Sequence, residues 1–449
     1  MAAVVIGSLG TLSPVGAVVD DAPGRAGAVW LAAELQAGDD RLDHLGQTDW
    51  GLTADAILAI IATEGRGNPV ASAAAQALWE GRDAFTTWDE VEGDFAGVKL
   101  AGPTAKLLLV AAASDRPVAD RAAVESQLRG LVVSGGTRAG RVADRNPHDV
   151  DTSSTFTQSL AIAALGRTEG GVPAEVVSYL LAQQCPAGGF RLTPQNTACS
   201  DDATIDTDAT SMAIQALLVV ERTPAVGDAL SRAVEWLVGA QAGSGSFSGT
   251  GPTAVPNSNS TGLAAQALRG AGQVGPADSA AGWIAALQRS STDTDAGAIA
   301  YDPTAAQEAA DGIGDLSRDQ WRRATSQAVL AFGAPVTGQI GNAVSSTSST
   351  TSTTSTSSTS STSSTTSTST TTSTTSTTST TSTTVPAATT TTAASTSPVE
   401  VASSTTSRSA TTTESALART GAAIEAPVGL AMIAVGLGGL MVLYAPRRG

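Results

Sequence analysis

Two carboxylates set two residues apart, Asp206 and Asp208, stand just ahead of a run rich in small and apolar residues, Thr210-Ser-Met-Ala-Ile-Gln-Ala-Leu217. Such a pair could supply an acid, provided its neighbours make it unusually strong, or offer polar oxygens to a ligand. Fifty-one residues further on, Asn257 and Asn259 fill the same places, with Ser260 beside them. Amides in place of carboxylates keep hydrogen-bonding capacity and drop the charge, which suits recognition better than metal binding. Asp49, followed by Trp50, and Thr157 lie at related places earlier in the chain, and Asp49 also reads as a helix cap. His148, Asp149 and Asp151 form either an acid/base cluster or a hydrated loop leading into a capped helix. The expected ligand contacts are therefore Asp49, Thr157, Asp206, Asp208, Asn257, Asn259 and Ser260, with Asp206 and Asp208 as the weak candidates for catalysis. No metal set is expected.

The two cysteines, Cys185 and Cys199, flank a polar loop. In an exported chain they most simply form one disulfide that staples this loop, because no Cys-x-x-Cys pair and no nearby histidine favours zinc.

These residues recur because the chain repeats. Threonines of the pattern fall at Thr53, Thr104, Thr157, Thr210, Thr261 and Thr325, with offsets of 51, 53, 53, 51 and 64 residues. A second series supplies one bulky residue ahead of each copy: Trp30, Trp79, Leu128, Tyr179, Trp236 and Trp283. Each repeat reads as an outer helix with a large anchor, a Gly/Pro/Ser/Asp loop and an inner helix of Ala, Leu and Gln. The inner helices are apolar nearly all round, as a helix buried on every side must be. The expected fold is all-α, an α6/α6 toroid of six helical hairpins over residues 24–335, with the inner-helix N-termini meeting at one end. The insertion 293–303 lengthens the last repeat and could fold over the opening.

The pattern resembles the prenyltransferase and squalene-oxidase repeat, seen in Tyr179-Leu-Leu-Ala-Gln-Gln-Cys-Pro-Ala-Gly-Gly-Phe190 and more loosely in 236–247. Within that superfamily, Asn257-Ser-Asn-Ser-Thr-Gly-Leu-Ala-Ala-Gln-Ala-Leu268 and Asp208-Ala-Thr-Ser-Met-Ala213 are similar to stretches of the transcobalamin and intrinsic-factor family. That resemblance implies a corrinoid as ligand, touched by Asn257, Ser260 and Asp208, with 155–157 as another contact loop. Asp206-Thr-Asp208-Ala-Thr resembles the acidic motif of class II terpene cyclases, with Ala209 in place of its last acid, and implies Asp208 as a proton donor. Toroid glycosidases, working through Asp49, Asp151 and Asp206, form a further enzyme alternative. The zinc set of the protein prenyltransferases and the complement-type thioester motif are not found.

Among 449 residues the net charge is −16 and aromatics make up 4%, which argues against nucleic acid as a partner. Residues 1–17 read as a signal peptide with a Val15-Gly16-Ala17 end, without a basic start. From 345 to 384 every residue is Ser or Thr, and the bias makes 343–416 a disordered stalk, at most roughly 240 Å long when extended. Residues 417–449 resemble a sortase sorting signal: Leu417-Ala418-Arg419-Thr420-Gly421, an apolar transmembrane stretch at 428–445, then Arg447-Arg448. The resemblance implies cleavage after Thr420, joining of Thr420 to peptidoglycan, and a membrane-inserted precursor of a cell-wall protein. Sequence alone therefore points to an exported surface protein whose ring binds a small, partly apolar ligand, corrinoid- or isoprenoid-like. The alternatives are a cyclase- or glycosidase-like surface enzyme and an adhesin-type structural protein.

Overall fold

A computed structural model describes residues 21–89, 95–148 and 150–342, together with the backbone of 431–433 and 442–444. The anticipated signal peptide 1–17, the Ser/Thr stalk, the pentapeptide 417–421 and Asp149 lie outside the described residues. At 428–445, where one membrane-crossing helix is expected, the described backbone differs. Ala431–Ile433 pairs antiparallel with Val442–Tyr444, and no helix among the described residues is long and apolar enough to cross a membrane. Ile433, Val442 and Tyr444 are residue types that favour strand.

The first seven helices are α1 (Ala22–Ala37), α2 (Trp50–Glu64), α3 (Pro69–Glu80), α4 (Arg82–Thr86), α5 (Ala101–Ala113), α6 (Val118–Gly130) and α7 (Thr155–Leu165). The next seven are α8 (Ala174–Ala182), α9 (Thr207–Leu217), α10 (Pro224–Gly239), α11 (Ser258–Gly270), α12 (Val274–Ala285), α13 (Pro303–Glu308) and α14 (Arg318–Ala328). Their starts follow from local chemistry. Asn68, Thr223 and Asp302 each accept a backbone N–H of the first turn and precede a proline, whose missing N–H costs nothing there.

Six of these helices close a ring. In turn, α2, α5, α7, α9, α11 and α14 each pack on the next, and α14 packs back on α2. The six repeat threonines all lie on these helices. The outer helices α1, α3, α6, α8, α10 and α12 lean on the inner set, and they carry the six bulky anchors. On α10 the buried residues Val226, Ala229, Leu230, Ala233 and Leu237 form one stripe, whereas on α9 every residue from Thr207 to Leu217 is buried. Small residues let the inner helices approach: a Cβ on Gly262 of α11 would stand 2.5 Å from the Gln327 carbonyl oxygen of α14. Neighbouring inner helices meet at matching depth, Gly102 against Thr157, and Asp55 against Lys106. They therefore run parallel, with all six N-termini at one end.

A recurring joint fastens the loop to the inner helix in four of the six repeats. The backbone N–H groups of Leu42, Phe190, Phe247 and Ile299 donate to Thr53, Thr210, Thr261 and Thr325 at 2.8–2.9 Å. Glutamines tie three of the loops to the following outer helix: Gln184 Nε2 donates to the carbonyls of Gly188 and Ala229, and Gln241 Nε2 to those of Gly245 and Pro276. Gln288 Nε2 reaches the carbonyls of Gly297 and Pro23, so the last repeat is bonded to the first. Gly188, Gly245 and Gly297 have φ of 105°, 92° and 91°, and a Cβ on any of them would strike a carbonyl of the next repeat. Closure is reinforced by charge. Buried Glu34 of α1 accepts from Arg318 at 2.6 Å and from Arg322 at 2.7 Å, both on α14.

Removing Glu34 leaves two arginines facing one another at the seam. Glu34→Ala is expected to lower stability by about 3 kcal/mol, read from urea unfolding, because one half of a largely buried ion pair is lost. A change below about 0.5 kcal/mol would show that the seam does not depend on this pair.

Candidate functional site

At the N-terminal end of the ring, helix caps occupy several of the expected contact residues. Asp49, Asp206 and Asn257 are the N-caps of α2, α9 and α11, and each accepts the backbone N–H three residues on, from Leu52, Ala209 and Ser260 at 2.7–2.9 Å. The correspondence of Asp206 with Asn257 thus has a physical origin: both complete the first turn of an inner helix. Thr157 is the third residue of α7, and its hydroxyl accepts the N–H of Ser154 within a capping box.

The expected contacts separate into two groups. Asp49 is fully buried and its second oxygen pairs with Arg323, which also holds Asp319 at 2.9 Å. His44 Nδ1 lies 3.2 Å from Asp319, and Lys106 lies 2.7 Å from Asp55. This half of the ring, on α14, α2 and α5, is a network of opposite charges that satisfy one another. Asp49 therefore serves the helix start and the ion pair rather than a shared pocket with Asp208.

The other half, on α9 and α11, is different. Asp206 uses one oxygen for its cap and accepts the Thr250 hydroxyl at 2.7 Å with the other. Asp208, the second residue of α9, is buried, and its Oδ1 has no hydrogen-bond partner among the described residues. Burial, and next the charge of Asp206, push its carboxyl up to about 8, against the pull of the Ser260 and Thr253 hydroxyls. Asp208 accordingly carries a proton at neutral pH.

Asn259 Oδ1, Ser258 Oγ and the Tyr301 hydroxyl are likewise buried without partners among the described residues. They belong to one neighbourhood. Ser258 donates its N–H to the Tyr301 carbonyl at 2.7 Å, and Asn257 Nδ2 donates to Ser260 Oγ at 3.1 Å. The field of Asp208 adds to burial in holding the Tyr301 phenol up, at about 12. The loop before α11 covers Asp208, since a Cβ on Gly249 would lie 2.6 Å from Asp208 Oδ2.

Sequence reasoning did not find Ser258 or Tyr301. Ser258 sits between two residues that were singled out, and Tyr301 lies near the end of the insertion of the last repeat, where periodicity fails. The acid/base reading of 148–151 does not survive for Asp151, which pairs with Arg138 at 2.6 Å and Arg141 at 2.9 Å. Cys185 and Cys199 are joined, with Cα atoms 4.6 Å apart. No group of three or more His, Cys, Asp or Glu among the described residues could hold a metal ion.

No protein-family model matches the chain, and no curated protein matches it. Among solved structures it is similar to a type II terpene cyclase from Scytonema, at 16% identity and a TM-score of 0.47, covering 69% of this chain and 96% of that one. It is also similar to ent-copalyl diphosphate synthase from Streptomyces platensis, at 19% identity and a TM-score of 0.40, covering 63% of this chain and 50% of that one. An unsaturated glucuronyl hydrolase from Bacillus sp. GL1 superposes at 12% identity and a TM-score of 0.48, covering 70% and 97%. Superpositions this loose carry no inference about activity, and the ring closure described above rests on its own contacts.

The Asp208 carboxyl links folding to pH with a definite sign. Its ordinary value is 3.8, so from about pH 4 to about pH 8 the folded chain holds a proton that the unfolded chain has lost. Stability contributed by this residue should fall as pH rises through that window, by at most about 1.4 kcal/mol per pH unit, and level off above it. Urea unfolding from pH 5 to 9 should show this slope in the wild type and a flatter one in Asp208→Asn.

Proposed function

We propose that the N-terminal end of the ring binds a small uncharged ligand through its hydroxyl or amide groups. One observation carries this reading: four buried polar groups around α9 and α11, on Asp208, Ser258, Asn259 and Tyr301, each have an atom without a partner among the described residues. A buried polar atom left unpaired costs about 1–3 kcal/mol, which a ligand supplying the missing bond would recover. Among the described residues no arginine or lysine is bonded to this group, so it does not suit an anion. Protonated Asp208 donates, Asn259 can donate and accept, and the two hydroxyls can do either. An array of this kind fits the neutral amides around a corrinoid better than an isoprenoid alcohol, which offers one hydroxyl.

Binding is favoured over catalysis on chemical grounds. Protonating an alkene demands an unusually strong acid, and a carboxyl raised to about 8 is a weak one. A glycosidase would need Asp206 as a second, free carboxylate, but both its oxygens are engaged.

The surface setting is proposed on sequence alone: a sortase reads 417–421, and Thr420 carries the ring to peptidoglycan. Fragments from a cell-wall digest should end at Thr420 joined to a peptidoglycan peptide, and Thr420→Ala should abolish them. Retrieval of the wall-linked chain with Thr420→Ala would refute this attachment.

For the ring, cobalamin, a polyprenol and a neutral disaccharide are to be compared by thermal shift on the full chain. Cobalamin at about 100 times Kd should add about 2.7 kcal/mol to stability, a rise of several degrees. Tyr301→Phe should leave the unliganded protein as stable or about 1 kcal/mol more so, while weakening binding about tenfold. If none of the three probes shifts the melt, the binding reading falls. If a polyprenyl or glycoside substrate is turned over, and Asp208→Asn abolishes that turnover, the acid reading replaces it.

A further inference from the structure

A cavity of about 550 Å³ lies at the opposite end of the ring, where the inner helices finish. Ala112 of α5, Gly166 and Leu218 just past α7 and α9, and the segment 338–342 form its walls, and three arginines enter it: Arg66, Arg121 and Arg167. Helix C-termini present unpaired carbonyls, so some cationic groups belong there for structural reasons. Arg167 meets that need. It donates to the Ala112 carbonyl at 3.1 Å and also to the Ile340 carbonyl. Arg66 is held by Asp115 at 3.0 Å.

Arg121 is not accounted for in this way. It stands on the first turn of α6, and its Nε is buried without a hydrogen-bond partner. Its guanidinium forms no ion pair among the described residues. Arg121 and Arg66 both press on Arg167, which burial first and these like charges second bring down to about 10. Three guanidinium groups share the space with one carboxylate, in a chain whose net charge is −16. Such an excess is held together at a cost unless an anion completes it.

We propose that this cavity is an anion site, in which Arg121 and Arg167 grip a small molecule bearing phosphate or carboxylate groups. The volume lies in the range of small-molecule sites. Guanidinium groups match phosphate and carboxylate oxygens in pairs, and the Arg121 guanidinium, which lines the cavity and is paired with no carboxylate among the described residues, is the donor group an oxyanion would take. The site is separate from the neutral group around Asp208, and its chemistry is opposite.

The test uses the full chain with inorganic phosphate and with citrate, each titrated by calorimetry at constant ionic strength, and sodium chloride as the control for screening. Saturable binding of phosphate, citrate or both is expected, and the tighter of the two identifies the headgroup. Arg121→Gln should raise Kd tenfold or more, because a charge-assisted bond is lost. The same change should leave the unliganded melting temperature unchanged or higher, since a repulsion is removed. Asp208→Asn should leave anion affinity unaltered. The proposal is overturned if neither anion binds beyond the chloride control, or if Arg121→Gln binds as tightly as the wild type.

Discussion

The fold depends on hydrogen bonds through which the glutamines of three successive repeats, Gln184, Gln241 and Gln288, each reach the next. A helical hairpin with one apolar face cannot bury that face alone, and stacking leaves two open ends unless the last unit meets the first. Gln184 and Gln241 reach carbonyls one repeat onward, and Gln288 does the same to Pro23 across the seam. The glycine that lets each loop approach is part of the same device, because any side chain there would collide with the neighbouring backbone. Hydrogen bonds of this sort are directional, so they set the angle between repeats where the non-directional burial of Ala and Leu does not.

Closure forces polar groups together at both ends of the ring, and the two ends resolve this differently. At the N-terminal end, exposed backbone N–H groups call for acceptors, and Asp49, Asp206 and Asn257 supply them. On one side Arg323 and Lys106 neutralise the surplus acids. On the other no cation among the described residues is bonded, and Asp208 retains its proton instead. A buried carboxyl without a counter-ion has few other states open to it.

The C-terminal end has the reverse polarity. Carbonyls there call for donors, and Arg167 spans the ends of two segments far apart in sequence. One guanidinium is enough for that role. The presence of Arg66 and Arg121 in the same cavity goes beyond what helix termini require, just as unpaired Tyr301 and Asn259 go beyond what caps require at the other end. In both places the residues that capping leaves unexplained are the ones that point to a ligand.

Sequence by itself determined the number of repeats and the inner and outer helix of each. All of these are local: 3.6-residue periodicity, cap chemistry and glycine-marked turns are written into neighbouring positions. The equivalence of Asp206 with Asn257 was legible for the same reason. Tertiary structure alone decided which acids meet a cation. Arg323 lies 274 residues from Asp49, and Arg318 lies 284 from Glu34. It also decided that Tyr301, in a loop with no periodic signal, joins Asp208. Charge state and pairing depend on burial and on distances across the ring, and neither quantity exists until the chain has closed on itself.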